Sequence, residues 1–275
     1  MSMDRREFLT ASAIGSLTLG HSVITPGDLL VDTRSPDTQA GAASTAGTRK
    51  ILIAGGGFNT AYIRYMAALS GKKRPRICYL PTASADAEEG IIKFYEHCAP
   101  LDVEAHVQKS FIESLSQHQG WDEVFLSMDG IVVSGGNTLN QQAIWKAQGI
   151  DTVLRHAWDK GIVLGGASAG SLCWFEEGTT DSRPKALSIV KCMGFLTGSH
   201  SPHYDAEAGR RPLYHKLIGE GTMKPGYACD NDAGIYFEDQ TVKRVVSTRA
   251  GAKVYYVSVV NGAVAEKVHE PEMIA

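Results

Sequence analysis

Ile162-Val163-Leu164-Gly165-Gly166-Ala167-Ser168-Ala169-Gly170-Ser171 runs from a short apolar stretch into a turn made almost wholly of small residues. The apolar run reads as a buried strand, and Gly166, Ser168 and Gly170 form G-x-S-x-G directly after it. That context is what a nucleophile elbow requires: a serine on a sharp strand-to-helix turn, with small neighbours where strand end packs against helix start. Ser168 would then project into a cleft, and the amide of Ala169 would point at a developing oxyanion. The neighbouring Ser171 fits the local pattern less well, and a plain small-residue packing turn is the bland alternative.

Working outward, the same strand-then-turn pattern recurs. Residues 49–54 run apolar into Gly55-Gly56-Gly57, residues 76–80 are stopped by Pro81, and residues 130–134 enter Gly135-Gly136-Asn137-Thr138. Helical spacing fits residues 61–69, 87–98 and 140–158, with a break near Gly149, and residues 103–107 fit a strand. Continuous apolar strands alternating with helices predict a parallel sheet covered on both faces, an α/β protein of three layers. Residues 226–229, 234–237, 242–247 and 253–260 are strands at short spacing without helices between them. They predict an antiparallel extension on one sheet edge.

Composition narrows the function classes. The 275 residues carry 27 Lys and Arg against 30 Asp and Glu, with 43% hydrophobic and 21% charged residues. This balance is ordinary for a globular chain and gives no footprint for nucleic-acid binding. No run of about 18 apolar residues predicts a membrane span. The five cysteines form no C-x-x-C, which argues against a disulfide framework or a thiolate zinc site. Gly55-Gly56-Gly57-Phe58-Asn59-Thr60 misses G-x-G-x-x-G because Thr60 stands where the last glycine belongs, and no P-loop motif occurs. No cofactor is expected.

A nucleophilic serine needs a base. Ser199-His200-Ser201-Pro202-His203-Tyr204-Asp205 offers His203, with Pro202 fixing the chain before it. The competing reading is a metal site from His200, His203 and Asp205, which lacks a further evident ligand. Asp181, Asp230 and Asp232 are the candidates for a third member that orients the imidazole.

Ser134-Gly135-Gly136-Asn137-Thr138, Gly166-Ala167-Ser168-Ala169-Gly170 and Ser201-Pro202-His203-Tyr204, taken in that order, resemble the dipeptidase E family of serine peptidases. Ser171-Leu172-Cys173-Trp174-Phe175-Glu176 is similar to its long-chain branch, and cyanophycinase is a more distant relative. The resemblance covers residues 50–259. It implies a doubly wound, mostly parallel, flavodoxin-like sheet similar to class I glutamine amidotransferases, with Ser168 as nucleophile, His203 as base, and Gly136 and Ala169 as oxyanion-hole amides. For the acid it offers Asp181, in a Thr-Thr-Asp stretch one residue shorter than the family's, or the later Asp230 or Asp232. It implies a short peptide substrate, in the family's best-known case a dipeptide with N-terminal aspartate, for which Asn137 and Arg211 are candidate contacts. Arg210 and Arg211 follow His203, and an arginine suits an aspartyl carboxylate, with a solvated basic pair at a helix start as the alternative. The rival expectations are a cyanophycinase-like exopeptidase and a non-catalytic small-ligand binder of the same fold. No nucleic-acid, membrane or metal partner is expected, and a homo-oligomer is left open.

Residues 1–48 stand apart from the folded domain expected over 49–275. Arg5-Arg6 with Phe8-Leu9 resembles a twin-arginine export signal, followed by a Ser, Thr, Gly and Pro-rich linker. The expectation is an exported, periplasmic protein, with a cytoplasmic protein carrying an unstructured tail as the alternative.

Overall fold

The computed structural model describes residues 47–112 and 118–275. The export signal and nearly all of the linker expected at the N-terminus therefore lie outside the described residues.

The chain begins with β1 (Lys50–Ala54), α1 (Thr60–Ser70), β2 (Arg76–Leu80), α2 (Glu88–Cys98) and β3 (Glu104–Val107). It continues through α3 (Trp121–Phe125), β4 (Gly130–Val133), α4 (Thr138–Gln148), α5 (Ile150–Asp159), β5 (Val163–Ala167) and α6 (Ala169–Leu172). Strands β1, β5, β4, β2 and β3 lie side by side in that order, all parallel. Their side chains alternate between two cores. Ile51, Ile53, Ile131, Val133 and Leu164 pack with Trp145, Leu154 and Trp158 on one face. Leu52, Ile77, Val132 and Val163 pack with Tyr62, Ile63, Met66 and Phe94 on the other. Burial on both faces is why these strands read as unbroken apolar runs.

Local chemistry sets the helix ends. Asn59 caps α1 through its side chain, accepting from the amides of Ala61 and Tyr62. Gly149, at φ 73°, closes α4 and starts α5 within one residue, the break anticipated there.

The C-terminal part is more elaborate than one antiparallel edge. Strands β10 (Ala233–Glu238) and β11 (Thr241–Ser247) do extend the main sheet antiparallel from β1, and β14 (Glu272–Met273) adds to β11. Gly226–Cys229 (β9) and Val254–Val260 (β12) instead join a second, six-stranded sheet. Its other members are β6 (Glu177–Thr180), β7 (Ser188–Lys191), β8 (Ser199–Ser201) and β13 (Ala263–His269). Helix α7 (Arg210–Gly219) covers this sheet through Tyr214, Leu217 and Ile218 against Ala228 and Val257. The expected single extension is thus divided between two sheets.

Candidate active site

Ser168 follows β5 immediately and has φ 57° and ψ −117°, a left-handed conformation that L residues avoid. Two features hold the turn. Ala54 O accepts from the Ser168 amide at 3.3 Å, and Gly170 lets the turn lie on β4, since a Cβ there would sit 2.1 Å from Val133 O. Helix α6 has only four residues, so its macrodipole is small. What it contributes locally is its first amides, which have no partner within the helix.

His203 reaches the serine from the loop after β8. Its Nε2 lies 2.8 Å from Ser168 Oγ, and its Nδ1 lies 2.7 Å from Asn231 Oδ1. An acceptor amide oxygen on Nδ1 places the ring proton there and leaves the Nε2 lone pair facing the serine hydroxyl. His203 has φ 53°, and its amide donates to Gly55 O at 3.3 Å. The first glycine turn thereby gains a role that its failed nucleotide motif did not suggest. A Cβ on Gly56 would stand 2.8 Å from His203 Nδ1 and 2.2 Å from Asn231 Oδ1, so only glycine admits this pair.

None of the three expected carboxylates meets His203. Asp181 is exposed and lies 3.8 Å from Arg210. Asp230 is buried and accepts from the Lys253 amide at 2.8 Å; burial raises its carboxyl above the usual range, against the opposing pull of that amide. Asp232 turns away at φ 66° and accepts from Arg249 at 3.2 Å. The residue between the last two, Asn231, occupies the position expected of an acid. Its own backbone is clamped: the amide donates to Asp205 Oδ1 at 2.8 Å, its carbonyl accepts from Arg249 at 2.9 Å, and Arg249 also pairs with Asp205.

The competing metal ligands do not converge. Asp205 serves Asn231 and Arg249, while His200 Nδ1 donates to Tyr227 O at 3.0 Å and Nε2 faces Ser171 Oγ at 3.0 Å. Burial pushes the His200 imidazole down to about 3, against the Tyr227 hydrogen bond. Ser171 is fully buried and lies 2.8 Å from Ser168 O, supporting the elbow from behind. Among the described residues, no group of three or more His, Cys, Asp or Glu is arranged to hold a metal ion.

The second glycine turn abuts the nucleophile: a Cβ on Gly135 would lie 3.4 Å from Ser168 Cβ. Gly136, at φ 132°, and Ala169 flank this contact in sequence. Asn137 is already occupied, capping α4 through Oδ1 and donating from Nδ2 to Ser182 O at 3.0 Å. Arg211 is likewise committed. It donates to Glu266, from Nε at 3.0 Å and also from a terminal nitrogen, and its guanidinium lies over the rings of Tyr204 and Tyr255. A cavity of about 230 Å³ opens beside Ser168, between the ends of β2, β4 and β5 and the side of α2.

These elements define an α/β protein with a hydrogen-bonded serine–histidine pair on a strained turn at the carboxyl ends of its parallel strands. Ligands of open α/β sheets bind at that edge. The chain belongs to peptidase family S51, whose model matches residues 51–245. It is 43% identical over 224 residues to the uncharacterized peptidase YgaJ of Bacillus subtilis (strain 168), covering 78% of this chain and 94% of that one. A crystal structure of a peptidase from an acI-B1 Actinobacterium superposes with a TM-score of 0.62 at 16% identity, covering 83% of this chain and 96% of the other. A putative peptidase E protein from Listeria monocytogenes EGD-e gives 0.54 at 16% identity, with 72% and 98% covered. At such identities these two structures speak for the fold alone. Family membership makes the protein a peptidase.

Proposed function

We propose that the protein is a serine-type peptidase acting on short peptides, with Ser168 as nucleophile and His203 as general base and then acid. The observation that carries this reading is the 2.8 Å contact between His203 Nε2 and Ser168 Oγ, made by a serine whose backbone is held at φ 57°. In the first step Oγ attacks the scissile carbonyl carbon and its proton passes to Nε2. The Gly136 and Ala169 amides receive the oxyanion. As the C–N bond breaks, Nε2 returns the proton to the leaving amine, and an acyl ester remains on Ser168. Water, deprotonated by the same nitrogen, attacks the ester carbonyl; as the C–O bond to Ser168 breaks, Nε2 returns that proton to Oγ and the acid is released.

Asn231 acts here as a positioning residue. Its amide oxygen holds the imidazole in the tautomer that accepts from serine but supplies no negative charge to the imidazolium. Turnover of a short-peptide panel by the wild type and Ser168→Ala tests the reading. A variant that keeps the fold and loses hydrolysis supports it; a Ser168→Ala enzyme that hydrolyses peptides at the wild-type rate overturns it.

A further inference from the structure

We infer that the cavity beside Ser168 receives the side chain of the acyl residue, and that this residue is apolar, of leucine or phenylalanine size, not aspartate. The inference rests on the serine peptidase reading above and adds a substrate class to it.

Position comes first. The chain passes from β2 through α2 out to β3 and then returns to β4, with α2 on one face of the sheet and α4 on the other. The crevice between the ends of β2 and β4 is therefore the switch point at which such sheets bind ligands. The cavity occupies it, reaching from Ser168 and Gly135 to Gly90 on α2. His203 does not line it. The leaving amine must lie toward His203 to be protonated, so a pocket that starts at Ser168 and runs away from the imidazole belongs to the acyl half.

Chemistry comes second. The side-chain walls are mainly Phe58, Tyr79, Phe94, Val132, Val133 and Ala167, with the Tyr79 and Phe94 rings stacked at 5.1 Å; Ser134 adds one buried, neutral hydroxyl. The Tyr79 hydroxyl lies against α2, 2.9 Å from where a Cβ on Gly90 would stand. The basic side chains in the lining are Lys93, which is exposed and paired with Glu89 at 2.6 Å, and His97, whose Nδ1 meets Thr60 Oγ1 at 3.2 Å. A carboxylate buried among those walls would lose its hydration without an enclosed cation to replace it. The arginine pair that follows His203 cannot supply one without breaking its own contacts: Arg210 is buried on Glu207 and Thr179 O, and Arg211 is bound to Glu266. Size agrees as well. A volume of about 230 Å³ is below the roughly 300–1,000 Å³ of pockets that take a drug-sized ligand, and suits one side chain.

The test pairs a reactivity control with a specificity panel. Labelling of Ser168 by a fluorophosphonate reports the nucleophile independently of any side-chain preference. Dipeptides with leucyl, phenylalanyl, alanyl and aspartyl acyl residues are then compared by kcat/KM. The corresponding aminoacyl boronates are compared as competitors of the label, so that slow turnover of a dipeptide does not hide the order. Leucyl or phenylalanyl compounds should exceed aspartyl ones by about 10²-fold or more, since one methylene in an apolar pocket already separates substrates by about 10-fold or more. Phe94→Ala should lower the leucyl-to-alanyl ratio by about tenfold. The half-exposed Phe58→Ala should act in the same direction and decides the matter if the buried Phe94 variant does not fold. A labelled Ser168 with aspartyl compounds equal or better overturns this inference and leaves the peptidase reading standing. An unlabelled Ser168 overturns both.

Discussion

Asn231 Oδ1 lies 2.7 Å from His203 Nδ1, although an aspartate stands on either side of it in the chain. The site is thus built to orient its imidazole with a neutral group. Asn231→Ala should lower kcat by about 10²-fold with little change in KM, because the ring loses its tautomer and its aim. The loss stays below the about 10⁴-fold seen when a triad acid is replaced by a group that imposes the wrong tautomer. Asn231→Asp should hold kcat within about tenfold of wild type, since a carboxylate accepts from the same Nδ1. Steady-state kinetics of the two variants check this; equal, near-wild-type rates for both would remove Asn231 from the mechanism.

The clamp behind Asn231 gives a second expectation. Asp205 and Arg249 touch its backbone, not the imidazole. Asp205→Asn and Arg249→Gln should each reduce kcat by about tenfold, and the double variant should fall well short of the product of the two, since both act through one clamp. Asp181→Asn should leave kcat near wild type because its exposed carboxylate faces Arg210.

The two adjacent arginines should separate cleanly. Arg210 is buried and donates to Thr179 O at 2.6 Å. Arg210→Met should cost about 1–3 kcal/mol of stability by leaving that carbonyl unsatisfied. Arg211 is half-exposed, and Arg211→Gln should cost less than about 1 kcal/mol. Denaturant titrations compare them; a larger loss from Arg211 would contradict the assignment.

His200 sets a pH expectation. Its folded-state value is held near 3, while an unfolded histidine titrates near the ordinary 6.5. Between these values the unfolded chain binds the extra proton, so this group's contribution is complete above about pH 6.5 and is lost as pH falls toward 3. The slope is about 1.4 kcal/mol per pH unit at most. Unfolding free energies from pH 7 to 5 should therefore fall less steeply in His200→Gln than in wild type. Parallel curves would show that the imidazole is not held neutral.

How much of this was legible in the sequence follows from burial. Strands β1, β2, β4 and β5 are covered on both faces, so their sequences are unbroken apolar runs. The strands Glu177–Thr180 and Ser199–Ser201 are just as buried but are made of Ser, Thr, Glu, His and one Gly. Their hydroxyls are paired inside, as Thr179 is with Ser201 at 2.8 Å, so no hydrophobic pattern announces a second sheet. Ser168 and His203 were legible because their backbones need special neighbours, small residues at the elbow and Pro202 before the histidine. Asn231 was not, because which residue of Asp230-Asn231-Asp232 faces the imidazole depends on the left-handed turn at Asp232 and on the Gly56 contact, and both are tertiary facts. Arg211 looked available for a substrate because Glu266, its partner, lies 55 positions away.

The most direct measurement is mass-spectrometric mapping of a fluorophosphonate adduct. The account predicts one adduct, on Ser168, absent in Ser168→Ala and formed at least about 10²-fold more slowly in His203→Gln, where the base is lost. An adduct on Ser171 or elsewhere, or undiminished labelling in His203→Gln, would contradict it.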